Sequence, residues 1–431
     1  MDSRNAPFGQ INRRRFLSAG AAAGIMLVKP QTARTYAANS AVRIGLLGCG
    51  GRGTGVASSF IAKAGARVTA LGDLYRSQAE QTKARLDAVH REFGHPAISP
   101  SQIFSGPEAA EQLCASAEID AVQIATPVYF HPRHFEIAVA AGKHVYLEKP
   151  VAVDMAGVHR VLAAAAKASD RQSITVGLQL RHATPYVELV KRIRAGALGD
   201  VVSGLAHYYA GALERPDFRD ATPVQRRLRN WIWDRVLSGD IIVEQNVHVI
   251  DMTNWILGSH PLSVVGSCGR KGRTDPGDCM SHYDCVFTYP NDIHISFAST
   301  QFIKGGWHVA MRYFGTQGNA EAAYSAPVVI TGEEPWEFPG LGQPGQSGDT
   351  KQLQAGQFKG ALDDADQNKQ RVFVNSITSA RYLHEIQPGA EATISAIMAR
   401  QAAYTGERVT WDGVRYSFDA WDAGIDLHAA A

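Results

Sequence analysis

Apolar residues in the part of the chain that follows residue 40 occur in short runs, and amphipathic stretches separate these runs. A short apolar run rich in β-branched residues is typical of a buried strand. Such runs occupy residues 42–50, 66–73, 119–127 and 144–150. The amphipathic stretches predict helices at residues 54–64, 76–93 and 131–141. Strands that alternate with helices predict an α/β domain with a doubly wound parallel sheet.

The pattern changes after about residue 175. Alternating apolar and polar runs, separated by Gly, Pro and Asn, predict a mainly antiparallel, open sheet, and residues 289–297 (YPNDIHISF) predict one of its hairpins. The other predicted elements are helices at residues 185–195 and 388–404 and a long loop at residues 332–365. We therefore expect a first domain at residues 41–170 and an α+β domain at residues 171–431.

Residues 1–38 differ from the rest in charge. They carry six of the 43 basic residues and one of the 41 acidic residues, which leaves 37 basic and 40 acidic residues in the remainder. A mildly acidic body lacks the cationic surface of a nucleic-acid binder. Residues 13–17 (RRRFL) and the short apolar stretch after them predict a twin-arginine export signal. This signal implies that the twin-arginine translocase exports the folded chain to a periplasmic or other extracytoplasmic location. A basic tail and a retained membrane tether are the alternatives.

The cysteines do not have the spacing of a metal site. They are Cys49, Cys114, Cys268, Cys279 and Cys285. Their odd number excludes complete pairing within the chain. We expect mostly free, buried thiols, although one disulfide among the last three is an alternative in an oxidising compartment.

A glycine-rich turn follows the first predicted strand and opens the first predicted helix. Residues 48–53 (GCGGRG) fit G-x-G-x-x-G, the turn that brings the main chain close to a pyrophosphate at a helix N-terminus. Asp73 ends the second predicted strand, where a carboxylate binds the adenosine ribose and repels a 2′-phosphate. The sequence therefore predicts a bound dinucleotide, with NAD preferred to NADP, although Arg76 lies near enough in sequence to weaken that preference.

Three segments together resemble the Gfo/Idh/MocA family of oxidoreductases. They are Gly48–Gly53, Ala125-Thr126-Pro127 and Glu148-Lys149-Pro150, and the resemblance continues through residues 239–261. It implies a Rossmann first domain and a second domain whose open sheet commonly assembles into homo-oligomers. The cofactor-binding residues that the motif and the resemblance imply are Gly48, Gly50, Gly51, Arg52, Gly53, Asp73, Thr126, Pro127, His131, Glu148 and Lys149.

The resemblance also implies a catalytic set. Lys149 would hold the reacting hydroxyl beside the nicotinamide, and its cation would stabilise a developing alkoxide. His248 would exchange the hydroxyl proton, as a group with a near-neutral pKa can. Glu244 lies four residues before His248, on the same face of a helix, where family members commonly have Asp. Asp251 is a rival partner for the histidine.

The substrate contacts are less constrained by the sequence. Arg181, Tyr208 and Asn246 are candidate contacts to a carbohydrate. A two-histidine metal site built from His248 with His207 or His282 finds no support in the spacing, so we expect no metal.

The expected function is hydride transfer between a nicotinamide cofactor and a secondary hydroxyl or keto group of a sugar, polyol or glycoside. Free NAD is scarce outside the cytoplasm, so export implies a tightly held cofactor. Two alternatives remain. One is an NAD-dependent glycosidase like glycoside hydrolase family 109, although the Tyr-x-x-His pattern of that family is not evident here. The other is a dinucleotide sensor without catalysis.

Overall fold

A computed structural model describes residues 41–304, 307–325, 327–341 and 360–431. The predicted export signal at residues 1–38 lies outside these residues, as does part of the predicted loop at residues 332–365. None of the described helices is long and apolar enough to cross a membrane. The five cysteines are free thiols, and only Cys268 is partly accessible.

The described strands are numbered in chain order. They are β1 (Arg43–Leu47), β2 (Arg67–Asp73), β3 (Ile103–Ser105), β4 (Ala121–Ile124), β5 (His144–Leu147), β6 (Ile174–Val176), β7 (Val201–Tyr209), β8 (Ser263–Gly269), β9 (His282–Tyr289), β10 (Ile293–Thr300), β11 (His308–Gly315), β12 (Gly318–Ala323), β13 (Val329–Gly332), β14 (Trp336–Glu337) and β15 (Val409–Thr410).

The described α-helices are numbered in the same way. They are α1 (Gly51–Ala64), α2 (Arg76–Glu92), α3 (Ala109–Ala115), α4 (His131–Ala140), α5 (Met155–Ala165), α6 (Thr184–Arg194), α7 (Pro223–Arg229), α8 (Arg235–Ser238), α9 (Ile241–Glu244), α10 (Val247–Leu257), α11 (Ala365–Thr378), α12 (Ile386–Thr405), α13 (Trp411–Arg415) and α14 (Leu427–Ala430).

Six described strands form the first sheet, in the order β3-β2-β1-β4-β5-β6. All pairs in it are parallel, as the alternation of strands and helices predicts. This is the strand order of a Rossmann domain, whose ligand crevice lies outside the carboxyl ends of the strands near β1 and β4. The last strand, β6, lies beyond the boundary that we predict after residue 170.

Nine described strands form the second sheet, in the order β14-β13-β12-β11-β7-β10-β9-β8-β15. Its pairs are antiparallel except for β7 with β10, so the sheet is mainly antiparallel. The predicted hairpin at residues 289–297 is confirmed, because β9 and β10 pair across the short turn at Pro290–Asp292. Burial alternates along β7, so one face of the sheet is covered and the other is accessible.

Two helices near the carboxyl end of the chain connect the sheets. The predicted helix at residues 388–404 is α12, whose Ala-rich surface is buried on nearly every side. It belongs to a large apolar core that also contains side chains of both sheets. Helix α11 returns to the first sheet, where Phe373 packs in one cluster with Phe60 of α1 and Tyr146 of β5. The chain therefore contributes to the Rossmann domain twice.

Candidate active site

The glycine turn between β1 and α1 has the close contacts that its sequence predicts. Gly48 has φ of +94°, and a Cβ there would lie 2.6 Å from main-chain atoms of Ala125 and Thr126. A Cβ at Gly53 would lie 2.1 Å from the Gly48 carbonyl oxygen. Neither position therefore tolerates a side chain without movement of the backbone.

The outer part of the same turn faces open space. A Cβ at Gly50 or Gly51 would meet no heavy atom of the described residues within 4 Å. Gly50 is also the N-cap of α1, and glycine has no side chain to cover the first N–H groups of that helix. A dinucleotide pyrophosphate fits this cradle because the main chain can approach it and the helix dipole favours negative charge.

Asp73 lies at the carboxyl end of β2, next to the cradle. Its Oδ2 accepts a hydrogen bond from the Cys49 N–H at 2.8 Å, and its Oδ1 accepts one from the Tyr75 N–H at 2.9 Å. A carboxylate can accept about four hydrogen bonds, so Asp73 can also accept one from a ribose hydroxyl. Burial raises the pKa of Asp73, although these N–H groups favour its ionised form. Arg76, the residue that would weaken a preference for NAD, pairs with Glu80 at 2.9 Å.

The turn after β4 lies against Gly48 and carries Thr126 and Pro127. The Thr126 hydroxyl contacts His134 Nδ1 at 2.9 Å. His131 is buried, and its ring nitrogens lie 2.7 Å from the Pro150 oxygen and 2.9 Å from the Thr126 oxygen. His131 therefore joins the turn after β4 to the segment after β5. The contact of His131 with the cofactor stays a prediction.

Lys149 follows β5 and reaches the second domain. Its Nζ lies 2.9 Å from Glu244 Oε1 and 2.6 Å from the Glu244 main-chain oxygen. Both side chains are 12% exposed. The predicted catalytic lysine and the predicted carboxylate are thus brought together at the carboxyl edge of the first sheet.

Arg52 of the glycine turn belongs to a buried network of charges beside Lys149. Its Nε donates to Glu148 Oε1 at 3.1 Å, and its two terminal nitrogens donate to Asp366 at 2.8 and 3.0 Å. Lys369, which is fully buried, pairs with Asp366 at 3.1 Å. Arg52 and Lys369 lower the pKa of Asp366 well below its ordinary value, although burial opposes them. The network fixes the glycine turn to Glu148, the residue before Lys149.

His248 and Asn246 contribute buried polar atoms to the same region. Among the described residues neither His248 Nδ1 nor Asn246 Oδ1 has a hydrogen-bond partner. Burial lowers the pKa of His248 well below 6.5, and the cations of Lys149, Arg52 and Lys369 lower it further. His248 is therefore neutral at pH 7 and able to accept a proton. Unpaired buried polar atoms are costly, which fits a place where a ligand binds.

The prediction of one helix carrying Glu244 and His248 needs a correction. Glu244 ends α9, whereas His248 lies in the first turn of α10, and Asn246 is the N-cap of α10. The break leaves the Glu244 carbonyl oxygen free to accept a hydrogen bond from the Lys149 ammonium. Glu244 therefore binds Lys149 through its main-chain oxygen and its carboxylate, and its role toward His248 stays a prediction.

Two other candidate residues have structural partners. Arg181 donates to both oxygens of Asp251, at 2.8 to 3.0 Å, and lies over the Trp255 ring. Arg181 therefore has a buried carboxylate partner, and its contact with a substrate stays a prediction, as does the pairing of Asp251 with His248. Tyr208 points inward from β7 and is buried, close enough to Glu244 that the carboxylate, after burial, helps raise its pKa.

Asp366 and Lys369 are the residues that the sequence analysis missed. They lie three residues apart in a strongly polar stretch (DDADQNKQ), which gives no sign of an inward-facing surface. The i, i+3 spacing of opposite charges is the one signal present. Among the residues that the structure describes, no group of three or more His, Cys, Asp and Glu is arranged to hold a metal ion.

The Rossmann sheet, the open cradle and the lysine at the sheet edge define a two-domain, dinucleotide-binding oxidoreductase. The chain belongs to the Gfo/Idh/MocA oxidoreductase family. It matches the family's NAD-binding Rossmann fold over residues 42–177 and the GFO/IDH/MocA C-terminal domain over residues 186–321.

The relatives of the chain carry the names of two kinds of enzyme. The chain is 27% identical to inositol 2-dehydrogenase of Acidothermus cellulolyticus, over 69% of this chain and 78% of that protein. It is 29% identical to a glycosyl hydrolase family 109 protein of Streptomyces niveus, over 47% of this chain and 39% of that protein. Among solved structures, myo-inositol 2-dehydrogenase of Lactobacillus plantarum matches with a TM-score of 0.66 at 18% identity, covering 86% of this chain and 99% of that one. The last likeness concerns the fold alone.

Proposed function

We propose that this chain is an NAD-dependent dehydrogenase that acts on a secondary carbinol of a polyol or sugar. The observation that carries the proposal is the arrangement around Lys149. Its ammonium lies at the carboxyl edge of the Rossmann sheet, bound to Glu244 and near the neutral imidazole of His248. An ammonium and a neutral base are the two groups that oxidation of an alcohol needs from a protein.

Each residue then has a defined task. The Lys149 ammonium has three protons, of which two point to Glu244, so the third is available to a substrate oxygen. His248 accepts the hydroxyl proton in oxidation and returns it in reduction. Asn246 supplies an acceptor for a further substrate hydroxyl. When bound, the nicotinamide ring accepts or donates the hydride.

Three features support NAD as the cofactor. The cradle fits a pyrophosphate, Asp73 has lone pairs for the ribose hydroxyls, and its negative charge opposes a 2′-phosphate. The inositol dehydrogenases among the relatives support a polyol as substrate.

The direct test is a denaturing extract of the purified protein, analysed for nicotinamide dinucleotides, followed by a panel of polyols and sugars monitored for NADH. We expect stoichiometric NAD in the extract and NADH formation with at least one cyclic polyol or sugar. A protein that neither contains nor binds NAD would contradict the proposal.

A glycosidase that uses the same NAD without net oxidation is the second candidate. The similarity to glycosyl hydrolase family 109 proteins favours it, but extends over less than half of the chain. Release of aglycone from aryl glycosides without NADH accumulation would support this candidate. NADH formation from free polyols would support the dehydrogenase.

Export and assembly complete the proposal. We expect residues 1–38 to direct the folded, cofactor-loaded chain out of the cytoplasm. Cell fractionation of a variant with Arg13→Lys and Arg14→Lys tests this expectation.

The outer face of the second sheet exposes Leu205 and Val286, which supports burial of that face between two copies. Light scattering after size exclusion measures the copy number.

A further inference from the structure

A small apolar cluster lies apart from the two main cores and joins four distant parts of the chain. These parts are the turn after β2, the turn after β4, the segment from α7 to α8, and residues 423–430. The cluster contains Leu74, Tyr129, Phe130, Val224, Leu228, Trp231, Val236, Leu237, Ala423, Ile425, Leu427 and Ala430. We call α7 together with residues 423–430 the adenosine cover.

Polar contacts hold the two parts of the cover to each other and to the Rossmann domain. Gln225 Nε2 donates to the Ala430 oxygen at 3.2 Å, and Arg227 donates to the Ala423 oxygen. The Ala423 N–H donates to the Tyr129 hydroxyl at 3.4 Å. The terminal segment therefore fixes α7 next to the turn after β4.

The cover places Arg229, the last residue of α7, beside the residues that follow β2. Its guanidinium carbon lies 4.5 Å from the centroid of the Tyr75 ring and 5.3 Å from that of Phe218. Arg229 is exposed, and its positive charge favours the ionised form of Asp73. Contacts with two aromatic rings restrict the orientation of the guanidinium while leaving its N–H groups accessible.

The position of this cation matches one end of the expected ligand. In a Rossmann domain the adenosine ribose binds at the end of β2, where Asp73 lies, and the pyrophosphate binds at the glycine turn. Asp73 also bonds to Cys49 of that turn, so the carboxylate, the cradle and Arg229 border the same part of the crevice. A guanidinium donates to ribose and phosphate oxygens and complements the negative charge of a dinucleotide.

We propose that Arg229 is a cofactor-binding residue supplied by the second domain, and that the adenosine cover holds it over the adenosine half of the dinucleotide. The inference rests on the proposed dinucleotide-dependent function and adds a residue that the glycine motif does not predict. It also gives a structural reason for a tightly held cofactor, because the ligand contacts both domains at its adenosine end.

The test measures binding of the adenosine half and the nicotinamide half of the dinucleotide separately. Equilibrium dialysis measures binding of ADP-ribose and of nicotinamide mononucleotide to the full chain, to Arg229→Ala and to a chain that ends at Asp422, each after removal of any dinucleotide that is bound on purification. Arg219→Ala is the matched control, because Arg219 is an exposed arginine of the same segment that pairs locally with Asp217. We expect Arg229→Ala to bind ADP-ribose about tenfold more weakly, as loss of one charge-assisted hydrogen bond predicts.

The shortened chain should show a loss in the same direction, because it lacks the segment that positions α7. Binding of nicotinamide mononucleotide should be unchanged in both variants, and Arg219→Ala should match the wild-type chain with both ligands. Unchanged ADP-ribose binding by Arg229→Ala would overturn the inference while leaving the proposed function intact. A wild-type chain that contains no dinucleotide on purification and binds neither ADP-ribose nor NAD would overturn the proposed function and this inference together.

Discussion

Lys149 and Glu244 connect the two domains through two hydrogen bonds from one ammonium group. The lysine Nζ lies 2.9 Å from the carboxylate and 2.6 Å from the main-chain oxygen of the same glutamate. Because a carboxylate and a carbonyl both attract the ammonium, its position is fixed before any substrate arrives. Such preorganisation is what electrostatic stabilisation of an alkoxide requires.

Replacement of this ammonium should separate catalysis from cofactor binding. In Lys149→Met the apolar stem remains but the charge is lost, so we expect kcat/KM for the oxidised polyol to fall at least about 100-fold. The amount of NAD in a denaturing extract should not change by more than about twofold. The exposed Lys167→Met is the control. Turnover of Lys149→Met near that of the wild-type chain would contradict the assigned role.

The low pKa of His248 predicts a pH profile. Burial and three nearby cations lower this pKa below 6.5, so the imidazole stays neutral and able to accept a proton in mildly acidic buffer. The kcat/KM for oxidation should therefore decline only as the pH falls through a value below 6.5. Lys369→Met removes one of the cations and should move this decline to higher pH. An unchanged profile in Lys369→Met, or the same acidic decline in His248→Asn, would contradict the assignment.

Asp73 should determine the choice between NAD and NADP. Its carboxylate repels a 2′-phosphate, so Asp73→Ser should raise the affinity for NADP and lower that for NAD, which loses its ribose acceptor. We expect the ratio of the two dissociation constants to change by at least about tenfold, corresponding to roughly 1.4 kcal/mol. Fluorescence titration with NADH and NADPH measures both. Equal ratios in the variant and the wild-type chain would show that another residue makes the distinction.

Buried His90 should make the protein sensitive to acid. Burial lowers its pKa from 6.5 to about 4, and its Nε2 accepts a hydrogen bond from the Val68 N–H at 3.4 Å. The pKa of His90 is 6.5 in the unfolded chain and about 4 in the folded chain. At a pH between these values the unfolded chain binds a proton that the folded chain does not, so stability falls as the pH falls through this range. His90 should therefore lower the free energy of unfolding by about 2 kcal/mol when the pH falls from 7 to 5.

Urea unfolding at the two pH values measures this difference. In His90→Gln, whose side chain can still accept a hydrogen bond, the loss between pH 7 and pH 5 should be smaller by about that amount. An equal loss in the variant and the wild-type chain would mean that other groups account for the acid sensitivity.

The Rossmann half of the molecule was predictable because its local patterns agree with one another. Apolar runs, amphipathic helices and the glycine turn all indicate one crevice, and the contacts of Gly48 and Gly53 show why glycine is required there. The contact between Lys149 and Glu244 could be predicted only from the resemblance to the family. The two residues lie 95 positions apart, so no local pattern of residues connects them.

Other features of the structure could not be predicted from the pattern of neighbouring residues in the sequence. Helix α11 was not predicted because part of its inward surface is polar, with Lys369 and Gln370 fully buried. The pairing of Arg181 with Asp251 joins a candidate substrate contact to the residue that the sequence offered as a partner for His248. The break between α9 and α10 contains Gln245 and Asn246, and neither Pro nor Gly marks it.

The return of α11 to the first sheet has a consequence for dissecting the molecule. Phe373 covers Phe60 and Tyr146, and Asp366 holds Arg52 of the glycine turn. A fragment that stops after β6 would lack both, exposing aromatic side chains and depriving Arg52 of the Asp366 carboxylate. The nucleotide-binding half is therefore not a transplantable module, and chimaeras should exchange residues 365–378 along with it.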